Sequence, residues 1–518
     1  MDNKEKQSKK KNNSEVKGFL KTVEVVGNKL PHPAMIFLSF CVLIIALSAV
    51  FAGKSVTYYD AKAGTDATAE IISLLNWEGL RHILGNMTTN FTEFPALGTV
   101  LIAMLGVGVA EKTGLINTFL KKLMTGVNPT FMTAIVVFAG IVSNVASDAG
   151  YVVVVPLGAI IFANAGRHPI AGLAAAFAGV SAGFSANLIL GTTDPLLAGI
   201  TNVALEGANI DVRIAPTANW YFMIVSTFLL TFLGTFVTER IVEKNLGKYT
   251  GSYMPDKEEV SALEQKGLNR AGIALLLFFV VLGLLLIPEN APLKTPELID
   301  GVEVMTTKWF LHNALIPVIF LGFLIPGLVF GKVVGTVKTS FDVVGYMVDA
   351  MKSMSSLLVL VFFISQFVNY FKYTNMGTVI SVKGAEGLER IGLTGLPLII
   401  GFVIVSAFIN LFMGGASSKW AIMAPIFVPM MYELGLSPEI TQVAFRIGDS
   451  TTNVITPLMS YFAMIVVFMQ KYDEESGLGT LISTMLPYSV VFLIGWTLLL
   501  VLWYVFNLPL GPGAYIFV

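Results

Sequence analysis

The chain has 518 residues, of which 55% are hydrophobic and only 13% are charged, and its mean hydropathy is +0.75. Soluble globular proteins carry about a quarter charged residues, so this composition excludes a water-soluble domain. The net charge of −1 carries no signature of polyanion binding and excludes a nucleic-acid partner. The single cysteine, Cys41, excludes an intrachain disulfide and a thiolate metal cluster.

The chain begins with a basic tail, residues 1–32, which the positive-inside bias places in the cytoplasm. The first apolar run, 33–53, is too long for a signal-peptide core, so we expect a retained helix that runs outward. The more polar segment 54–94 is then an external loop, and 95–111 returns inward. The lysines of the tail are Lys4, Lys6, Lys9, Lys10, Lys11, Lys17, Lys21 and Lys29.

A second basic stretch predicts a cytoplasmic loop, 241–269, between a first membrane half, 33–240, and a second membrane half, 270–518. Apolar runs of spanning length recur in both halves, because a bilayer-spanning helix needs roughly 20 mostly apolar residues. Those of the second half are 309–331, 343–371 and 481–508. The predicted fold is an all-α polytopic membrane protein with about nine transmembrane helices.

Two regions of the chain repeat the same features in the same order. The segment ASDAGYVVVVP at 146–156 aligns with ASSKWAIMAP at 416–425, and the match continues downstream. The aligned pairs are Tyr151 with Trp420, Pro156 with Pro425, Pro169 with Pro438, Gly179 with Gly448, and Asn187 with Asn453. This coincidence indicates an internal duplication.

Each repeat is an apolar hairpin with a polar break, followed by a helix with another polar break. The ranges are hairpin 1 at about 130–166, its broken helix at about 170–205, hairpin 2 at about 398–435, and its broken helix at about 438–470. The base of hairpin 1 carries Arg167 and His168, whereas the base of hairpin 2 carries Glu433 and no cation. Because positive charges favour the cytoplasmic side, this difference predicts that the two repeats have opposite orientations in the membrane. Non-helical backbone at membrane depth must be buried or line a cavity, which predicts a polar site at the midplane.

The breaks contain the residue types that bind a coupling ion. Amide and hydroxyl oxygens at an unwound helix suit sodium, and the candidate ligands are Asn144, Asn187, Thr452 and Asn453. Asp194 and Asp449 are carboxylates at membrane depth, where desolvation favours the protonated form, so a proton is the alternative ion. Ser147 and Asp148 lie in the same break as Asn144. We assign no role to Asp148 or to Lys419 of hairpin 2, which could each lie at a hairpin tip or flank.

The second repeat also contains groups suited to an anionic substrate. Arg446 can grip a carboxylate bidentately, although it could instead pair with Asp449, three residues along the same helix. Trp420 either stacks on an aromatic ring of the substrate or simply packs. Further candidate contacts come from the same hairpin and the second break: Ser417, Ser418 and Pro457.

No enzyme signature competes with this interpretation. The four histidines lack the HExxH spacing of a zinc site, and the glycine-rich stretches lack a P-loop lysine. Ser417 would need a base to act as a nucleophile, and no histidine is placed to serve it. We therefore expect neither catalysis nor a cofactor.

Four long motifs closely resemble the p-aminobenzoyl-glutamate transporter (AbgT) family, a member of the ion transporter superfamily. They are SNVASDAGYVVVVPLGA, GFSANLILGTTDPLLAG, GGASSKWAIMAPIFVPM and FRIGDSTTNVITPLMSYF. The resemblance covers nearly the whole chain. It implies nine transmembrane helices and two hairpins, a homodimer, and ion-coupled transport in the bacterial inner membrane.

The resemblance also implies a substrate and a site. The family takes up p-aminobenzoyl-glutamate, and some members export sulfonamide antimetabolites. The corresponding site residues are Asp194, Ser417, Trp420, Pro438, Arg446, Asp449 and Pro457. The expected function is thus ion-coupled transport of this or a related aromatic carboxylate, and two alternatives stay open: a sodium-coupled dicarboxylate symporter and a passive anion channel.

Overall fold

The fold is a bundle of apolar helices, seen in a computed structural model that describes residues 31–60, 65–126, 128–146, 150–251, 253, 259–299, 302–459 and 461–518. Within these residues, seven helices are long and apolar enough to cross a membrane, or nine if each of two sharply bent helix pairs counts as one span. The predicted polytopic helical fold is confirmed. The lysines of the predicted tail lie outside the described residues, and so do Ser147 and Asp148.

The first half contains ten helices among its described residues, joined by short 3-10 and π-helical turns. They are α1 (Pro33–Val50), α2 (Trp77–Thr92), α3 (Pro95–Lys112), α4 (Leu115–Met124), α5 (Met132–Ser143), α6 (Val155–Asn164), α7 (Pro169–Phe177), α8 (Thr193–Gly207), α9 (Trp220–Val237) and α10 (Glu243–Leu246). The π-helical turns Ala178–Ala182 and Thr238–Val242 extend α7 and α9.

The second half contains ten more helices among its described residues. They are α11 (Ala262–Leu286), α12 (Leu315–Val334), α13 (Ser340–Ser353), α14 (Ser355–Tyr373), α15 (Met376–Arg390), α16 (Gly395–Asn410), α17 (Ala416–Glu433), α18 (Pro438–Thr452), α19 (Phe462–Gln470) and α20 (Leu478–Val505). The predicted single helix 343–371 is wrong, because the chain breaks at Met354 between amphipathic α13 and apolar α14.

Two small antiparallel sheets add to the helical fold. In the loop predicted to be external, strand β1 (Ser55–Asp60) pairs with β2 (Thr65–Glu70) in the register Ser55 to Glu70. In the second half, β3 (Thr295–Ile299) pairs with β4 (Val302–Thr306). Both β-sheets lie in connections between helices, so they leave the helical membrane fold unchanged.

The loop between the halves is shorter than the predicted 241–269. The π-turn and α10 continue α9 as far as Leu246, and α11 begins at Ala262. A capping box explains this start, since the Ser261 hydroxyl accepts from the Glu264 backbone N–H while the Glu264 carboxylate accepts from the Ser261 N–H. Only 6% of the apolar stretch of α11 is buried, as expected for a helix that faces lipid.

Both repeats fold as a hairpin packed against a broken helix. Hairpin 1 consists of α5 and α6, and its broken helix is α7, an irregular segment and α8. Hairpin 2 consists of α16 and α17, followed by α18, a break and α19. A side chain at Gly179 would lie 2.3 Å from the Val137 carbonyl oxygen, and one at Gly448 would lie 2.4 Å from that of Val403. The aligned glycines therefore allow the same close helix contact in each half.

The polar residues lie at the centre of the bundle. Helix α18 has the sequence PEITQVAFRIGDSTT, yet all of its residues except Glu439 are buried. Trp420 and Arg446 are among the largest fully buried side chains. Because buried charges must be paired or hydrogen-bonded, this helix determines where the polar site forms.

Candidate functional site

The first break holds Asp194 in a fixed position. The chain is irregular between Gly183 and Thr192, and Asp194 stands in the first turn of α8, where a carboxylate is favoured by the helix dipole. Its Oδ2 accepts from the Asn187 side-chain amide at 2.7 Å and from the Gly191 backbone N–H at 2.8 Å. Asp194 is only 2% exposed. The unwound segment therefore folds around this carboxylate.

Arg446 on α18 reaches across to the first break. Its Nη1 lies 2.9 Å from Oδ1 of Asp194, and its Nη2 donates to the Ser185 carbonyl at 2.7 Å. Its Nε is buried and makes no hydrogen bond to the described residues. The partner of Arg446 is thus Asp194 in the other half, and the alternative pairing with Asp449 on its own helix does not form.

Asp449 instead pairs with Lys419 of hairpin 2. The Lys419 ammonium lies 2.6 Å from Oδ1 of Asp449, and both side chains are 1% exposed. The contact is an ion pair rather than an aligned hydrogen bond, since neither Asp449 oxygen accepts a hydrogen bond from the described residues. The ammonium does donate a hydrogen bond to Oδ1 of Asn410, the last residue of α16.

Asn410 connects hairpin 2 to the second break. Its Nδ2 donates to the Asp449 carbonyl at 2.5 Å, to Oγ1 of Thr452 at 2.8 Å and to Oδ1 of Asn453 at 2.9 Å. The structure thus brings Asp449, Thr452 and Asn453 together around a residue that the sequence analysis missed. The available signal was an amide at the end of an apolar helix, in the same place as Asn144 in hairpin 1.

Trp420 is fully buried beside these groups. Its Nε1 donates to Oγ1 of Thr201 at 2.9 Å and to the Leu197 carbonyl at 3.2 Å. Its ring packs on Phe445 with centroids 4.6 Å apart. In this conformation the indole joins hairpin 2 to α8 and packs against protein on all sides.

The remaining predicted residues lie at different distances from this centre. Ser418 is buried and Ser417 is half-buried, next to exposed Gly414 and Gly415 at the tip of hairpin 2. Pro457 is half-buried in the second break. Pro438 begins α18 and lies about 12 Å along the helix from Arg446, at 1.5 Å per residue. The structure therefore does not bring Pro438 into the charged centre.

Asn144 lies at the tip of hairpin 1, against the first break. A side chain at Gly191 would lie 3.4 Å from the Val145 Cα, so the two backbones are in contact. The side-chain oxygens of Asn144 and Asn187 are buried and accept no hydrogen bond from the described residues. Oxygens of this kind suit a monovalent cation. Among the residues that the structure describes, no group of three or more His, Cys, Asp or Glu side chains is placed to hold a metal ion.

Comparison with known proteins identifies the family. A sequence model of the AbgT transporter family matches residues 18–518. The chain belongs to the AbgT family. It is 37% identical over 494 residues to the p-aminobenzoyl-glutamate transport protein of Escherichia coli strain K12, covering 95% of this chain and 96% of that protein. The predicted family membership is thus confirmed.

Two solved structures of transporters share the AbgT fold described above. The YdaH transporter of Alcanivorax borkumensis is 41% identical and superposes with a TM-score of 0.86, over 93% of this chain and all of that chain. MtrF of Neisseria gonorrhoeae, described as one of a class of antimetabolite efflux pumps, is 45% identical with a TM-score of 0.88, over 96% of this chain and all of that chain. The chain is therefore a multi-pass membrane transporter.

Proposed function

We propose that this AbgT protein is an ion-coupled secondary transporter of p-aminobenzoyl-glutamate or a related aromatic carboxylate. The name of its Escherichia coli relative supports the substrate. We further propose that it works as a homodimer in the bacterial inner membrane, with its N-terminus in the cytoplasm. The observation that carries the transport proposal is the buried ion pair of Arg446 with Asp194, which joins the two inverted halves.

The ion pair explains how an anion could bind at the centre of the molecule. An arriving carboxylate would compete with Asp194 for the Arg446 guanidinium, and the free Nε of Arg446 offers it a further donor. Asp194 would then be left as a buried charge without its partner. Such a charge costs about 3–5 kcal/mol, so anion binding is favourable only if a positive charge replaces Arg446 beside Asp194.

That requirement gives a physical reason for ion coupling. The free oxygens of Asn144 and Asn187 lie around the same break as Asp194 and would hold a sodium ion there. A proton on Asp194 would neutralise the same charge. Either ion would supply one positive charge, so substrate and ion would favour each other's binding.

A second candidate function is the export of antimetabolites. It is favoured by the 45% identity to MtrF, whose structure is described as that of an antimetabolite efflux pump. The same Arg446 site would serve in this case with transport in the opposite direction. Sulfonamides are the aromatic antimetabolites that we would test first.

The test is uptake of radiolabelled p-aminobenzoyl-glutamate into proteoliposomes, with sodium and proton gradients imposed separately. Wild-type uptake should depend on one gradient, and Asp194→Asn should reduce it by about tenfold or more, given the cost of a broken buried pair. The matched control is Asp349→Asn, because Asp349 is 49% exposed and pairs with the surface residue Lys352. It should transport like the wild type.

Other outcomes select the alternatives. Flux that needs no gradient and is unchanged in Asp194→Asn would show a passive anion channel. Competition by an aliphatic dicarboxylate, as effective as that by p-aminobenzoyl-glutamate itself, would show a dicarboxylate symporter. Accumulation of a labelled sulfonamide inside inverted vesicles, whose cytoplasmic face points outward, would support export if it is lost in Asp194→Asn.

A further inference from the structure

The two halves place asparagines at matching positions around their breaks. Asn144 follows α5 at the tip of hairpin 1, and Asn410 ends α16 at the tip of hairpin 2. Asn187 and Asn453 lie in the breaks of the corresponding broken helices. A duplicated site with the same chemistry would present the same amide oxygens twice.

The side-chain amide oxygens of these asparagines differ between the two halves in whether they accept a hydrogen bond. In the first half, Oδ1 of Asn144 and Oδ1 of Asn187 accept no hydrogen bond from the described residues. In the second half, Oδ1 of Asn410 accepts from the Lys419 ammonium, and Oδ1 of Asn453 accepts from Asn410. The oxygens of the second half are therefore already satisfied by groups of the protein itself.

A lysine at position 419 is unfavourable for the stability of the fold. It stands in the first turn of α17, where the helix dipole disfavours a cation, and it is 1% exposed. A buried ion pair is often no more stable than an apolar pair of the same volume. The position therefore keeps a positive charge between Asp449 and Asn410 at a cost in stability, which indicates a functional reason for the charge.

We propose that Lys419 is a tethered cation, which takes in the second half the place that a free coupling ion takes in the first. This inference rests on the ion coupling of the proposed function. The ammonium supplies one positive charge to a carboxylate and an amide oxygen, as a sodium ion would. A free cation is then needed only near Asn144, Asn187 and Asp194, so each chain couples transport to one ion rather than two.

The test removes the tethered charge and asks whether sodium replaces it. The melting temperature of the purified full-length chain is measured in sodium chloride and in choline chloride at equal ionic strength. Lys419→Met exposes the Asp449 carboxylate and the Asn410 oxygen to a new ligand. Its melting temperature should rise with sodium at least about twofold more than that of the wild type, because a ligand that binds only the folded state stabilises it.

Two controls separate this effect from a general loss of stability. Lys352 is 72% exposed and pairs with Asp349. The melting temperature of Lys352→Met should respond to sodium like that of the wild type. Lys419→Met combined with Asp449→Asn also removes the buried negative charge, so the additional response to sodium should disappear. If Lys419→Met does not fold, Lys419→Gln is compared in the same way.

The outcome decides the inference independently of transport. A sodium response in the Lys419 variant equal to that of the wild type would overturn it, and so would an additional response that persists after Asp449→Asn. A larger response that needs Asp449 supports it. Gradient-driven uptake by the wild type, measured separately, decides the proposed function, so a failure of the proposed function can be told apart from a failure of this inference.

Discussion

Trp420 is a residue whose role can be decided by one substitution. Its indole N–H donates to Thr201 and Leu197, and its ring packs on Phe445. Trp420→Phe keeps an aromatic ring but removes both hydrogen bonds, which should cost about 1–3 kcal/mol of stability. We expect a lower melting temperature with little change in the KM for p-aminobenzoyl-glutamate. A KM raised tenfold at an unchanged melting temperature would show that the indole contacts the substrate instead.

Most of the central residues were identifiable from the sequence, but their partners were not. Arg446, Asp194 and Asp449 stood out because charged side chains at membrane depth are rare. Spacing along α18 left a pairing of Arg446 with Asp449 open as an alternative, whereas the structure pairs Arg446 with Asp194. That choice depends on how the halves pack, which no local pattern contains. The pairing of Lys419 with Asp449 was not predicted either, because it depends on how hairpin 2 packs against α18.

The contact between each hairpin and its broken helix depends on a glycine. At Gly448 a Cβ would lie 2.4 Å from the Val403 carbonyl oxygen and 2.6 Å from the Ser406 Cβ, so α18 would have to move away from α16. Gly448→Ala should lower the melting temperature and reduce transport, because the shift displaces Arg446 and Asp449 on the same helix. In the matched control, Gly401→Ala on α16, the added Cβ meets nothing within 4 Å, and both properties should stay unchanged. Equal melting temperatures in the two variants would contradict this account.

Helical elements with polar interruptions were the easiest to predict. The breaks appear where Asn, Ser, Thr and Gly interrupt apolar runs, and the repeat offset already aligned Gly179 with Gly448. The strands β1 and β3 were missed because they lie in loops, where the strand pattern is short. The division of 343–371 into α13 and α14 was missed because the apolar face of amphipathic α13 leads directly into apolar α14.

At the scale of the whole molecule, the buried ion pair of Arg446 with Asp194 joins the inverted halves. Arg446 belongs to the second half and Asp194 to the first, and they are 1% and 2% exposed. Lys419 and Asp449 form the second central pair within one half. Any rearrangement that separates the halves at this centre must therefore break or exchange the Arg446 pair, whereas the Lys419 pair can move as a unit.

A double-mutant cycle on Arg446 and Asp194 tests this difference. Each single variant, Arg446→Gln or Asp194→Asn, leaves a buried charge unpaired and should destabilise the chain by about 3–5 kcal/mol. The double variant removes both charges, so its loss should be smaller than the sum of the single losses, with a coupling of about 0.5–3 kcal/mol. Melting temperatures of the purified variants measure the effect. The same cycle on the exposed pair of Lys352 and Asp349 should give additive changes. Additivity at Arg446 and Asp194 as well would mean that this ion pair does not help to hold the halves together.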